Sequence, residues 1–222
     1  MEKQRSSTQF LIFLTLLLAS IAATTMIVLR AWYSGRLLYS FLLWNLFLAW
    51  LPFLFAWAAY RKPVTAVFNG PLWLLFFPNA PYLVTDLIHL RQYDAVPLWY
   101  DAIMLFTFVL TGLMLGFLSL YMMQSLVSRR FGRVWSWLFV IAAVGMSGYG
   151  VYIGRFLRWN SWDVFRQPMT VLADIANSLF NPAYFLKTYT VSISLSAVML
   201  FAYIVMVAMP HLGASMQAAS GE

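Results

Sequence analysis

"LWLLFFPNAPYLVTDLIHL", residues 72–90, opens as a membrane-spanning run and then departs from one. Pro78, Asn79 and Pro81 stand near its middle, and Asp86 and His89 near its end. Proline has no N–H, so Pro78 and Pro81 leave the carbonyls of Leu74 and Phe77 without their helical donors. In hydrocarbon, such carbonyls must be packed in protein or line a wet cavity, and Asn79 is a plausible local partner. The run therefore predicts a membrane helix kinked at its Pro-Asn-Ala-Pro break. A purely structural proline kink accounts for the break taken alone.

The rest of the chain supports the membrane reading. Of its 222 residues, 63% are hydrophobic and 9% charged, too little polar surface to cover a water-soluble fold. The net charge of +7 would suggest nucleic acid in a soluble chain. Here the Lys and Arg residues sit between apolar runs, as topology determinants do, which argues against nucleic-acid binding. With no cysteine, the chain has no disulfides, thiolate chemistry or cysteine-ligated metals.

An apolar run of about 20 residues crosses a hydrocarbon core of about 30 Å as a helix. Six such runs are present, near residues 9–29, 37–60, 72–90, 97–127, 135–152 and 189–209. The first reads as a retained anchor rather than a cleaved signal, because its apolar stretch exceeds a typical signal core. The third is opened by Asn69 as a cap and Pro71 in the first turn, and Pro210 ends the sixth. The segment from about 164 to 187 reads as an amphipathic helix in the interface plane. In it Val171, Leu172, Ile175 and Leu179 share one face, with Asp174, Asn177 and Ser178 away from it. Gly150 and Gly154, four apart, suit close helix approach. The expected architecture is all-α: a polytopic membrane bundle of about six helices plus one interfacial helix, forming a single integral membrane domain over residues 1–222.

Six spans place both termini on one side. Positive charges then divide seven to seven between the two faces, and the triplet Arg129, Arg130 and Arg133 favours cytoplasmic termini. The ends of the third and fifth runs and the start of the fourth then share the other face. Together they carry Asp86, His89, Asp101, Arg155, Arg158, Asn160 and Asp163. Asn79, Tyr82, Asp86 and His89 fall at i, i+3, i+7 and i+10, one stripe if the helix resumes after its prolines. Each has an ordinary explanation as well: Asp101 suits a helix N-terminus, Arg155 and Arg158 suit snorkelling beside Trp159 and Trp162, and Asp86 with His89 suits a packing pair. Ionisable groups near a membrane interior are costly, and several on one face argue for a shared site.

The strings "FFPNAPYLVTDLIHL", "WYD" and "GRFLRWNSWD" resemble the bacterial membrane-protein family known as domain of unknown function 1361, over more than half the chain. The resemblance implies a multi-spanning bacterial inner-membrane protein and brings no established activity, so no catalytic role is carried over from it.

Two main functional classes remain open. In the first, an enzyme binds an anionic lipid or lipid-linked substrate at the extracytoplasmic face, as a hydrolase or transferase. Asp86, His89, Asp101 and Asp163 are its candidate catalytic groups, and Asn79, Tyr82, Arg155, Arg158 and Asn160 its candidate binding groups. A metal held by Asp86, His89 and Asp101 or Asp163 is a weaker variant, since one histidine is thin for zinc. In the second, a transporter or proton-coupled carrier uses the broken helix, although such breaks usually come in pairs. A non-catalytic scaffold is a third reading. Membrane lipids are the expected partners; sequence alone assigns no cofactor and no oligomeric state.

Overall fold

The structure is a computed structural model and describes residues 2–92 and 96–219. Its long elements are helices: α1 (Glu2–Ser34), α2 (Phe41–Arg61), α3 (Ala66–Phe76), α4 (Asn79–Thr85), α5 (Leu98–Phe131), α6 (Arg133–Tyr152), α7 (Asp163–Arg166), α8 (Pro168–Phe180) and α9 (Pro182–Ala219). Among the described residues, five segments are long and apolar enough to cross a membrane: Ser7–Ser34, Phe41–Arg61, Leu98–Phe131, Arg133–Leu157 and Leu186–Pro210. Large apolar side chains such as Phe10, Leu18, Phe106, Ile141 and Phe201 stand exposed on these helices, a surface that needs lipid as its solvent. The protein is a helical multi-pass membrane protein. Its chain divides into two compact units, Met1–Arg130 and Phe131–Glu222, described here in turn.

In the first unit, the prolines split the third apolar run. α3 ends at Phe76, α4 begins at Asn79, and each is too short to cross a bilayer alone. Asn79 Nδ2 donates to the carbonyl of Phe76 at 2.9 Å, and the Ala80 N–H reaches the carbonyl of Phe77 at 3.2 Å. The break is thus partly satisfied from within, although Asn79 serves the carbonyl of Phe76 and neither of the two expected of it, Leu74 and Phe77. The start of the run differs from expectation. α3 begins at Ala66 after the short turn Pro63–Thr65, Pro71 lies inside it, and Asn69 donates to Thr65 Oγ1 at 2.9 Å instead of capping. At the sixth of eleven residues, Pro71 removes the donor to the Val67 carbonyl in the middle of this short helix.

α4 lies close on α5. A Cβ added at Gly112 would strike Leu83 and the carbonyl of Ala80, and one at Gly116 would strike the Ala80 Cβ. This four-residue spacing of glycines brings two backbones together, as small residues do between membrane helices. Leu42, Leu83, Met104, Leu105, Phe108 and Leu115 form the buried centre of the unit. Polar ties between helices add to it: Trp50 Nε1 donates to Ser20 Oγ at 3.1 Å, and Trp73 Nε1 to Ser119 Oγ at 3.0 Å. The helix α5 is 34 residues long and stops where Gly132, at φ +90°, takes a conformation that side-chain-bearing residues avoid.

In the second unit, α6 packs on α9 at Gly148, where an added Cβ would meet Ser196 Oγ and the carbonyl of Ser192. Ser196 Oγ donates to the carbonyl of its own helix at Ser192 (2.7 Å) or to that of Val144 on α6 (3.2 Å). The amphipathic segment is helical as α8, with Pro168 at its first position. Its inward line differs from the expected one. Val171 and Ser178 are buried, Asp174 is half-buried, and Leu172 is exposed. The polar side chains turn toward protein because they find partners there, whereas an exposed leucine costs little beside lipid. Nor does Pro210 end the last helix: α9 runs through it from Pro182 to Ala219. One proline removes one donor, and this one lies near the end of a long helix.

Candidate functional site

The most deeply buried charges lie in the first unit. Arg30, in the last turns of α1, donates from Nε to Asp101 Oδ1 at 2.7 Å and from Nη2 to Oδ2 at 2.9 Å. The two side chains are 1% and 0% exposed. The geometry is the fork-to-fork pairing that guanidinium and carboxylate favour. It also suits both helices, with a cation near the C-terminus of α1 and an anion in the first turn of α5. Reading Arg30 as a topology charge misses it. The available signal was an arginine four residues before the end of α1, second in "LRAWYSGR", and an acid in another helix's first turn, and sequence does not pair such residues.

Tyr39 links this pair to the end of α4. The Arg30 guanidinium lies over the Tyr39 ring at 4.9 Å, and the Tyr39 hydroxyl donates to the carbonyl of His89 at 3.1 Å. Tyr39 is 5% exposed and takes φ +65°, a region that bulky residues rarely enter. Such conformations persist only where the surroundings over-determine them. Here the ring and the hydroxyl are both held. Nearby, the Tyr100 hydroxyl donates to the carbonyl of Met26 at 2.9 Å, a second tie between α5 and α1.

Asp86 and His89 form the first and last residues of a tight turn following α4. Asp86 is fully buried and accepts from Asn45 Nδ2, in the second turn of α2, at 2.8 Å. His89 is half-buried. Its Nδ1 lies 3.2 Å from the carbonyl of Asp86, and its ring stands 5.0 Å from that of Phe41. A proton on Nδ1 would donate to that carbonyl and leave Nε2 as the acceptor. Among the described residues, no hydrogen bond is made to Nε2. Of the remaining members of the predicted stripe, Asn79 serves the helix break and Tyr82 is half-buried on α4.

The Arg30 end of this unit holds a cavity of about 330 Å³, lined by Arg30 together with Trp32, Tyr33, Pro97, Trp99 and Tyr100 among others. Trp32, Tyr33 and Trp99 are exposed. Amphipathic rings of this kind gather at the level of lipid head groups.

In the second unit, Arg155 lies half-buried in a widened turn, Ile153–Leu157, whose end is closed by the Arg158 N–H reaching the carbonyl of Ile153. Arg158 is exposed and sits at φ +64°. The backbone N–H of Asn160 donates to Asp163 Oδ2 at 2.8 Å and its Nδ2 to the same oxygen at 3.2 Å, so Asp163 shapes its own turn. Unanticipated polar links tie α8 into the unit. Trp159 Nε1 donates to Asp174 Oδ2 at 2.8 Å, and the Tyr149 and Ser178 hydroxyls are 2.7 Å apart. Lys187 Nζ lies 4.3 Å from the centre of the Phe156 ring. Among the described residues, no three His, Asp or Glu side chains gather as a metal site would require.

Comparison with known families gives one match. The family described as "Protein of unknown function (DUF1361)" matches residues 44–208, about three quarters of the chain. No curated protein and no solved structure matches. The match covers the broken helix, the acid in the first turn of α5 and the arginine-bearing turn after α6, and by it the chain belongs to the DUF1361 family.

Proposed function

We propose that this protein binds an anionic lipid or lipid-linked substrate at one face of a bacterial inner membrane, with its termini in the cytoplasm. On this reading α3 and α4 cross the bilayer together as a sixth span, and the bound face is extracytoplasmic. The single observation that carries the proposal is the aromatic cavity beside Arg30, connected through Tyr39 to the backbone carbonyl of His89, a residue that is itself half-buried. The cavity suits the glycerol or first methylenes of a lipid, and its aromatic rim suits the interface. Asp101, engaged through both oxygens, and Asp86, buried against Asn45, hold the network; His89 keeps a ring nitrogen for proton exchange. In the second unit, Arg158 and Asn160 are exposed polar groups able to meet phosphate, with Arg155 half-buried between them and α6. This makes hydrolysis or group transfer on the bound lipid the chemistry best matched to the residues.

The test is photo-crosslinking from position 99, with a benzophenone amino acid replacing Trp99 in cells, followed by mass spectrometry of the adduct. Adducts with a lipid or lipid-linked group of net negative charge support the proposal, and His89→Ala should then raise their yield by blocking turnover while leaving protein abundance unchanged. Adducts drawn only from bulk neutral lipid would sink it.

A further inference from the structure

The other ends of α1 and α5 meet the end of α2 around a second cavity, of about 140 Å³. Ile12, Phe53, Trp57, Leu118 and Met122 give it apolar walls, and Tyr60 stands in its lining. A volume of this order inside a packed apolar interior admits a benzene ring, which corresponds to a few methylene groups of an acyl chain. Beside the cavity, Arg129 Nη2 donates to the Tyr60 hydroxyl at 2.9 Å, and the guanidinium carbon lies 5.0 Å from the same ring's centre. Arg129 is therefore held against a wall residue and does not simply trail into solvent, although it remains exposed. Arg61 and Lys62 follow Tyr60 directly, and Arg130 follows Arg129; all three are exposed. Neither residues 58–69 nor residues 118–130 include an acid to neutralise them.

We infer that this end of the first unit is a binding site for an anionic phospholipid, distinct from the substrate cavity at the Arg30 end. Arg129 receives the phosphate, with Arg61 and Lys62 supplying further positive charge, and part of one acyl chain enters the cavity between Trp57 and Leu118. Charge complementarity selects the occupant: exposed cations with no acid in their own two segments favour a lipid of net negative charge over a zwitterionic one. Snorkelling alone would place the same arginines among head groups, but it requires neither a cavity nor an arginine clasped by one of the cavity's own side chains.

The experiment is native mass spectrometry of the full-length protein released from detergent micelles containing equal phosphatidylglycerol and phosphatidylcholine. The expected result is a preference of about fivefold or more for phosphatidylglycerol that is lost in Arg129→Gln and kept in Arg129→Lys. Leu118→Phe, which fills the cavity without touching charge, should weaken it as well. Arg36→Gln, an exposed arginine at the other end of α1, should leave it unchanged, which ties the preference to the Arg129 end. Absence of preference in the wild type, its survival in Arg129→Gln or in Leu118→Phe, or an equal loss in Arg36→Gln each overturns the inference.

Discussion

Arg30 and Asp101, 71 positions apart in sequence, join the end of α1 to the start of α5 through two hydrogen bonds in a setting from which water is excluded. A buried pair of this kind repays its desolvation only through near-ideal geometry, so its net worth is small while the cost of losing one partner is large. Replacing Asp101 with Leu, or Arg30 with Met, should each destabilise the protein by about 3–5 kcal/mol. The double replacement Arg30→Met with Asp101→Leu should recover most of that loss. Thermal unfolding in detergent of the four proteins of this cycle measures it. Additive losses in the double variant would show that the two residues act independently.

The glycines of α5 make a sharper demand. At Gly112 and Gly116 the space for a side chain is already taken by Leu83 and Ala80 of α4, whereas at Gly145 nothing lies within 4 Å of an added Cβ. Gly112→Ala and Gly116→Ala should lower stability by about 1–3 kcal/mol, the usual cost of overpacking. Gly145→Ala, in the middle of a helix, should be neutral or slightly stabilising. Urea or thermal unfolding of the three single variants distinguishes them, and equal effects at all three positions would contradict the close approach of α4 to α5.

These two features mark how far the sequence could be read. Apolar run length marks six spans, of which five are helices long and apolar enough to cross a membrane among the described residues, and proline chemistry marks the break between Phe76 and Asn79, because those signals are local and lipid leaves the backbone few options. The spacing of Gly112 and Gly116 is equally local, and on α6 Gly148 makes a close approach to α9. What lay beyond reach was partnership. Asp86 and Asp101 were visible as unusual acids, but nothing nearby in sequence indicated that Asn45 and Arg30 would bind them. Tyr39, which links the two, carried no signal at all, since its left-handed backbone is imposed by its surroundings and a tyrosine does not seek it. The polar face of α8 turned inward for the same reason: Trp159 and Tyr149 were there to receive Asp174 and Ser178.

Tyr39 offers a separable test of that link. Tyr39→Phe keeps the ring beneath Arg30 and removes only the hydrogen bond to the His89 carbonyl, a loss of about 0.5–1.5 kcal/mol. Tyr39→Leu removes the ring as well and should cost more. Tyr39→Gly relieves the positive φ but surrenders both contacts, so it should be at least as damaging as leucine. Thermal unfolding ranks the three, and a glycine variant more stable than wild type would mean that strain at this position outweighs the contacts it serves.

Because the chain has no cysteine, its topology can be mapped directly with single introduced thiols. Lys62 follows α2, and Arg91 lies just beyond the turn that follows α4. If α3 and α4 together cross the bilayer, Lys62→Cys and Arg91→Cys stand on opposite faces. A membrane-impermeant maleimide added to intact spheroplasts should then label Arg91→Cys and spare Lys62→Cys, with Arg36→Cys labelled and Arg129→Cys spared. A re-entrant α3–α4 that returns to its own side would instead leave positions 62 and 91 with the same reactivity. That outcome would reduce the count to five spans, put the termini on opposite faces, and move His89 away from the membrane face that holds the Arg30 cavity. Arg30, Tyr39 and His89 are already joined by contacts of 4.9 and 3.1 Å, so the pattern expected from the packing is the six-span one.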